Sequence, residues 1–402
     1  MKIDNVAYVT KLAGFEHTEY IQNNCTHIKL NDTDVPLFIG KTVRNGRIDP
    51  KFDWYISKEL SDKLPRSKLN KKCIVLPYVG SIGDLAVFEH EYDAHLGSNV
   101  AKIELNDNSG YLEEFIYYFL KTPYGQKLLF RDVQGAVQKN ITMEAIRNVE
   151  LPEVAIEWQK KIVYVLKSLD DKIETNNKIS KELESLTKTI YDYWFVQFDF
   201  PDENGKPYKT SGGKMVYNEE LKREIPEGWK VEKIKDILIE NEKSSIQVGE
   251  AEKLKGDIPF YTSGEEILSC KENLIDGRNC YMSTGGNFTI KYYVGKASYS
   301  TDTWCISAKD NLEDYLYMTI KSYGEAFHRK YFAGTGLKHL QKDLFRNTYI
   351  VIPNSELIES FNKLSNNIFE KISVNYIENQ KLSELRDFLL PLLMNGQVGF
   401  KK

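Results

Sequence analysis

The residues best suited to chemistry in this chain sit in two glycine turns flanked by cations. They are Gln134-Gly135-Ala136-Val137-Gln138-Lys139 and Gly334-Thr335-Gly336-Leu337-Lys338-His339. Glycine lets backbone amides come close to an anion, lysine adds a point charge, and Gln or His side chains can reach base edges. The candidates are therefore Gln134, Gly135, Gln138 and Lys139 in the first turn, and Thr335, Gly336, Lys338 and His339 in the second. A tight turn with a solvated lysine accounts for either one alone. Both turns, however, lie in basic segments of a chain whose net charge is −4. Residues 121–147 hold five Lys or Arg and two acids, and residues 321–346 hold six and two. Paired basic segments with accessible backbone amides suit contact with phosphate.

Two further pairs of loops carry small and polar side chains that fit a groove surface. Residues 36–47 offer Lys41 and Arg44, and pair loosely with 259–264, which offer Thr262 and Ser263. Residues 78–83 offer Tyr78 and Ser81, and pair loosely with 282–287, which offer Thr284 and Asn287. Ordinary hairpin turns are the plainer alternative.

No catalytic set accompanies these loops. The chain has no G-x-x-x-x-G-K-[ST] loop, no glycine-rich dinucleotide fingerprint, and no Asn-Pro-Pro-aromatic tetrad for gripping a flipped adenine. Six histidines are dispersed without H-x-x-x-H spacing. Five cysteines, an odd number with no C-x-x-C pair, exclude a disulfide framework and a cysteine zinc site, and fit a reducing cytoplasm. Neither a cofactor nor a metal is expected on this chain. The opening residues lack the basic start and apolar block of a secretory signal. No stretch approaches the ~18 apolar residues of a membrane span. At 402 residues, 41% hydrophobic and 28% charged, the chain is long enough for two or three domains.

The elements that must position the loops are set out by an internal repeat. A shift of 199 residues brings Tyr124-Gly125 onto Tyr323-Gly324, Gly135 onto Gly334, Lys139 onto Lys338, Arg147-Asn148 onto Arg346-Asn347, and Asn176 onto Asn375. So long a period means duplication of a whole unit. Each copy reads as a globular part followed by a long helix. The globular parts, 1–152 and 226–353, hold β-like runs such as Cys73–Leu76 and Asn347–Ile352, plus one helical stretch each, 111–130 and 312–331. The helical parts span 153–198 and 354–402. A Gly-, Pro-, Lys- and Ser-rich linker, 199–225, joins the copies, and Trp229 follows it as a docking aromatic.

Between Glu157 and Phe195 there is no Gly or Pro. Apolar residues recur at Ile162, Leu166, Leu169 and Ile173, then at Leu183, Leu186 and Ile190. The second copy repeats them as Leu364, Ile368 and Ile372, then Leu382, Leu385 and Leu389. Steps of three and four predict a helical seam, and two such rods of ~60 Å would pack antiparallel. Asn176 and Asn375 interrupt the stripe at the same repeat position. A polar seam residue fixes register at a cost in stability, so leucine at either position should stabilise the pair and loosen its register. Asparagines facing solvent are the alternative. The expected fold class is α+β: two globular α+β domains separated by two long antiparallel helices with a pseudo-twofold internal repeat.

The sequence resembles the specificity (S) subunits of type I restriction–modification systems over nearly its whole length. The resemblance is carried by Val6–Phe15 (VAYVTKLAGF), Glu157–Ile162 (EWQKKI), Ile225–Trp229 (IPEGW), Gly334–Leu340 (GTGLKHL) and Leu389–Gln397 (LLPLLMNGQ), in that order. It implies two target-recognition domains, each reading half of a split double-stranded DNA sequence, with the helices setting the unread gap. It further implies that two methyltransferase (M) subunits dock on the helices and that restriction motor–nuclease (R) subunits can join. S-adenosylmethionine would then belong to M, and ATP and Mg²⁺ to R, so this chain would be non-catalytic. The acids Asp170, Asp171, Glu174, Glu182 and Glu184 would be available for M docking.

Shared positions of the repeat should hold scaffold and backbone contacts, and divergent positions should read bases. The divergent stretches include Asp84–His90 and Phe288–Tyr293, which predicts two different half-sites and an asymmetric target. The competing reading is a coiled-coil protein–protein adaptor with two globular modules and no DNA. A third is an enzyme whose site has no recognisable motif.

Overall fold

In the computed structural model, which describes every residue except Asn45, 132–139, 254–255 and 400–402, the chain forms two units. The first comprises Met1–Lys172 with Lys381–Lys402, and the second Ile173–Gln380. Each therefore contains one globular part and a piece of both long helices.

The first unit is built on the apolar run Cys73–Pro77, every residue of which is buried. Alternate side chains of a strand point to opposite faces. Ile74 and Leu76 enter one core with Phe115, Ile116 and Leu120, while Cys73 and Val75 enter another with Leu37, Phe38 and Phe88. A strand sandwiched between two cores has no polar face to show, hence the unbroken apolar sequence. Its sheet runs in the order Ala7–Lys11, Val100–Leu105, Cys73–Pro77, Ala86–Phe88, all antiparallel. A second sheet runs Tyr55–Ile56, Val35–Phe38, Ala94–Leu96, Lys68–Leu69, and its central pair is parallel, with Leu37 opposite His95.

The second unit repeats this plan. One sheet runs Leu238–Glu240, Thr303–Ala308, Arg278–Ser283, Ile290–Val294, again antiparallel. The other runs Ile267–Cys270, Ile258–Tyr261, Ser298–Tyr299, with the last pair parallel, Phe260 opposite Ser298. The central strand again divides its residues between two cores, Cys280 and Met282 in one and Tyr281 in the other. Strand order and direction thus follow the duplication where the sequences have diverged.

The helical stretches expected at 111–130 and 312–331 are each two helices. In the first unit α1 (Glu113–Lys121) gives way to α2 (Pro123–Leu129). Thr122 caps α2 by accepting from the Gly125 amide at 2.9 Å, and Pro123 takes the first helical position, where a missing N–H costs nothing. The long helices are α3 (Ile156–Tyr191) and α6 (Ser355–Met394). In the second unit α4 (Glu313–Ser322) and α5 (Glu325–Tyr331) are separated at Gly324, whose φ of 51° glycine adopts without strain.

Within the first unit, Ile162, Val163 and Leu166 of α3 share a core with Leu390, Leu393 and Met394 of α6, and Arg386 meets Asp170 at 2.7 Å. Within the second, Ile173, Asn176 and Ser180 meet Asn379, Glu378 and Asn375 in descending order. The helices are antiparallel in both. Leu169, Ile173, Leu183, Ile368, Ile372 and Leu382 are half-buried, whereas Leu186, Leu364 and Leu385 are 51%, 45% and 45% exposed. An untwisted α-helix drifts relative to a seven-residue repeat, so individual positions of the stripe turn away from the partner.

Asn176 and Asn375 are 1% and 0% exposed. Asn176 donates to Glu378 Oε2 and Asn379 Oδ1, both at 2.9 Å, and Asn375 donates to Ser180 Oγ at 3.1 Å. The segment expected as linker contains a hairpin, Met215–Asn218 paired with Arg223–Pro226. Asn218 closes its turn by accepting from the Glu220 and Leu221 amides at 3.0 Å. Trp229 is buried and stacks on Phe200 at 5.2 Å.

Candidate nucleic-acid interface

In the second unit, three loops named from sequence meet at one end of the main sheet. The turn after Arg278–Ser283 carries Thr284 and Asn287. Ser283 fixes it from below, donating to the Asn287 carbonyl at 2.9 Å and accepting from the Thr289 amide at 3.0 Å. Thr284 Oγ1 donates to the Asp302 carbonyl at 2.8 Å, and Asn287 is exposed.

The hairpin Phe332–Ala333 with His339–Leu340 lies beside this turn. The Gly286 amide donates to Lys338 O at 2.9 Å, the Leu340 amide donates to Thr284 O at 3.0 Å, and Gly285 bridges His339. A side chain at Gly285 would come within 3.3 Å of His339 Nδ1. Gly334 holds φ at 145°, and a Cβ there would sit 2.8 Å from Leu337 O, so this position requires glycine. Thr335, Gly336, Lys338 and His339 are all exposed at the hairpin tip.

The third loop, 262–266, is joined to the same turn. Thr289 Oγ1 donates to Ser263 O at 2.9 Å. Thr262 is buried and donates to Glu266 O at 2.7 Å, closing the loop on itself, while Ser263 is half-buried. All eight second-copy candidates therefore belong to one loop cluster.

The first unit has the matching stitches. Val79 bridges Asn140, and Ile141 donates its amide to Tyr78 O at 2.9 Å; Asn140 and Ile141 are the repeat positions of His339 and Leu340, which stitch to Gly285 and Thr284. Tyr78 is half-buried, burial pushes its phenol pKa up, and Lys11 lies 4.4 Å over its ring. Ser81 is exposed. Gly40 approaches the same strand end, with a Cβ position 3.6 Å from Val79 O. Its neighbour Lys41 is exposed and ion-paired with Asp53, and Arg44 is exposed on a short hairpin with 47–48. Gln134, Gly135, Gln138 and Lys139 lie outside the described residues.

Apart from the exposed Glu89 and His90, the divergent stretches do not face outward as base readers should. Leu85, Ala86 and Phe88 are buried. Tyr292 stacks on Tyr317 at 4.6 Å and donates to Asp314, and Tyr293 is buried with Tyr261. Their divergence records two differently packed cores. Two of the acids assigned to partner docking are also engaged within the chain. Asp170 accepts from Arg386 and from Tyr118 OH at 2.8 Å, and Glu184 pairs with Lys321 and Tyr317.

Lys291 falls in a divergent stretch expected to read bases, yet it reaches back under the 262–266 loop to donate to three of its carbonyls. Its place on the strand opposite Tyr281 was the available signal, and it becomes informative only once the strand is paired. Among the described residues, no group of three or more His, Cys, Asp or Glu could hold a metal ion, and no helix is long and apolar enough to cross a membrane.

Comparison with known proteins matches the chain twice to the family model described as "Type I restriction modification DNA specificity domain", at residues 18–185 and 226–386. The chain is 25% identical over 350 residues to the type I restriction enzyme MjaIX specificity subunit of Methanocaldococcus jannaschii, covering 82% of this chain and 78% of that protein. It is 24% identical over 370 residues to the HindI specificity subunit of Haemophilus influenzae, covering 71% and 78% respectively. The crystal structure of a type I restriction–modification S subunit from M. genitalium is similar in fold, with a TM-score of 0.57 at 16% identity, over 98% of this chain and 95% of that one.

Proposed function

The chain belongs to the family of type I restriction–modification specificity subunits, and from that premise we propose that its two globular parts each read one half of a bipartite, asymmetric double-stranded DNA target. The observation that carries this reading is the repeated loop cluster. In both units the turn after the central strand is stitched to the chain leaving the basic segment, at Val79–Asn140 and at Gly285–His339. Backbone amides, Lys338, His339 and the polar turn side chains then project from a rigid sheet end, as recognition of phosphate and base edges requires. The hairpin backbone and lysines supply sequence-independent contacts, and side chains that differ between the copies supply the reading.

Catalysis belongs to partners in this account. Two methyltransferase subunits dock along α3 and α6 and carry S-adenosylmethionine, and restriction subunits that join carry ATP and Mg²⁺. The net charge of −4 leaves the isolated chain a weak DNA binder, and methyltransferase subunits closing on the duplex complete the affinity.

The test is a pull-down of the tagged chain from its native cell, with the eluate supplied with labelled S-adenosylmethionine and DNA. Co-purification of a methyltransferase and sequence-restricted adenine methylation are expected. Recovery of neither from cells expressing the chain would favour the adaptor reading.

A further inference from the structure

We propose that Lys291 is a positioning residue for sequence reading by the second unit, holding the loop Thr262–Glu266 as a base-reading element. This rests on the DNA-recognition function above. Lys291 stands on the edge strand Ile290–Val294, opposite Tyr281. Its ammonium donates to Thr262 O at 3.0 Å, to Gly264 O, and to Glu266 O at 3.4 Å. Three carbonyls converging on one ammonium satisfy all three of its donors and leave it no proton for solvent or phosphate. Lys291 is half-buried, and burial lowers its pKa, whereas a phosphate-binding lysine would project into water. It acts as a built-in cation at the centre of a turn.

The loop it holds has an unusual charge for a surface near DNA. Glu265 and Glu266 are both exposed. A carboxylate there is repelled by phosphates and is useful only where it accepts from a base, the cytosine N4 amino group being its natural partner. Such discrimination depends on where the loop backbone places the carboxylate; the loop closes on itself through Thr262 Oγ1 to Glu266 O, and Lys291 together with the bond from Thr289 Oγ1 to Ser263 O at 2.9 Å ties it to the strand.

The first unit does this differently. Both loops have a local closure, Thr262 Oγ1 to Glu266 O here and Thr42 Oγ1 accepting from the Ile39 amide at 3.0 Å there, and the lysine is what the first unit lacks. The matching strand there, Ala86-Val87-Phe88, carries no lysine. The device is confined to one half of the chain, so its loss should affect one half-site.

The test uses the complex assembled with its methyltransferase subunits, acting on a random-sequence DNA library whose methylated products are sequenced. K291M should lower base discrimination within a single half-site by about tenfold, about 1.4 kcal/mol, with the other half-site unchanged. T289V, which removes the second tie, should relax the same positions, and K291R should recover part of the discrimination. T289V carries the test if K291M does not assemble. Variants that lose total activity or thermal stability but keep the base preference of both half-sites would overturn the proposal. A wild-type complex without sequence-restricted methylation would instead overturn the function on which it rests.

Discussion

Asn375 donates its side-chain amide to Ser180 Oγ at 3.1 Å, and the repeat carries this pair onto Asn379 and Asn176, which are bonded at 2.9 Å. The two contacts exchange under the duplication, but they are not equally made. Both Asn176 bonds are short, and one acceptor is the Glu378 carboxylate, whereas the Asn375 side-chain carbonyl is buried with no partner among the described residues.

This inequality separates two substitutions that look equivalent in sequence. Against the sequence expectation that leucine stabilises at either position, Asn176→Leu strips a donor from two acceptors and should destabilise the second unit by about 1–3 kcal/mol. Asn375→Leu removes an unsatisfied carbonyl and two longer bonds, to Ser180 Oγ at 3.1 Å and Asn176 O at 3.4 Å, and should be neutral or stabilising. Chemical denaturation of the two variants checks the order. Equal effects would show that the network does not set the energetics.

A second prediction concerns Lys338, exposed at the hairpin tip. If it contacts phosphate, Lys338→Ala in the assembled complex should weaken DNA binding without changing the preferred sequence. It should also make the slope of log K against log salt shallower by about 0.9. An unchanged slope would return Lys338 to ordinary solvation. Lys139→Ala, at the same repeat position, should behave alike.

The third concerns Asp314, which is 1% exposed. It accepts from Arg278 at 2.9 Å, Ser365 at 2.6 Å, and Tyr292. Asp314→Ala removes the buried acceptor shared by Arg278, Ser365 and Tyr292, while Arg278 keeps Glu370 at 2.9 Å, and should cost about 1–3 kcal/mol. Asp314→Asn keeps part of the hydrogen bonding and should cost less. Urea melts of both variants measure the difference.

Much of this organisation was legible in the chain itself. The duplication, the two helices and the second glycine turn show directly in the sequence, because a register, a helical period and a φ of 145° at Gly334 each constrain residue type. The roles of Lys291, Tyr292 and Asp170 were not legible. Each looks like a surface polar residue in sequence. Its direction is settled by which strand or helix lies across from it, and no spacing rule reports that. The break between α1 and α2 could have been read from Thr122-Pro123, a cap followed by the favoured first residue of a new helix.

A fourth prediction is a pH dependence. The hydrogen bonds from Arg346, at 2.7 Å each, hold the Glu240 carboxyl below the ordinary glutamate range, with Trp304 donating as well. A carboxyl whose folded pKa is depressed stabilises the fold above its unfolded pKa and loses that contribution as pH falls through the folded value. Glu240→Gln should therefore lower the melting temperature at pH 7. The gap from wild type should begin to narrow below the ordinary glutamate range, about pH 4, and close as pH falls through the lower value of the folded carboxyl. A gap independent of pH would assign the effect to packing.

The central claim is that two differently built units read two different half-sites, and base-resolution sequencing of methylated DNA from the native host tests it most directly. The account predicts a motif of two unlike halves separated by a fixed unread gap, lost when this chain is deleted. A palindromic or uninterrupted motif, or a methylation pattern unchanged by the deletion, would contradict it.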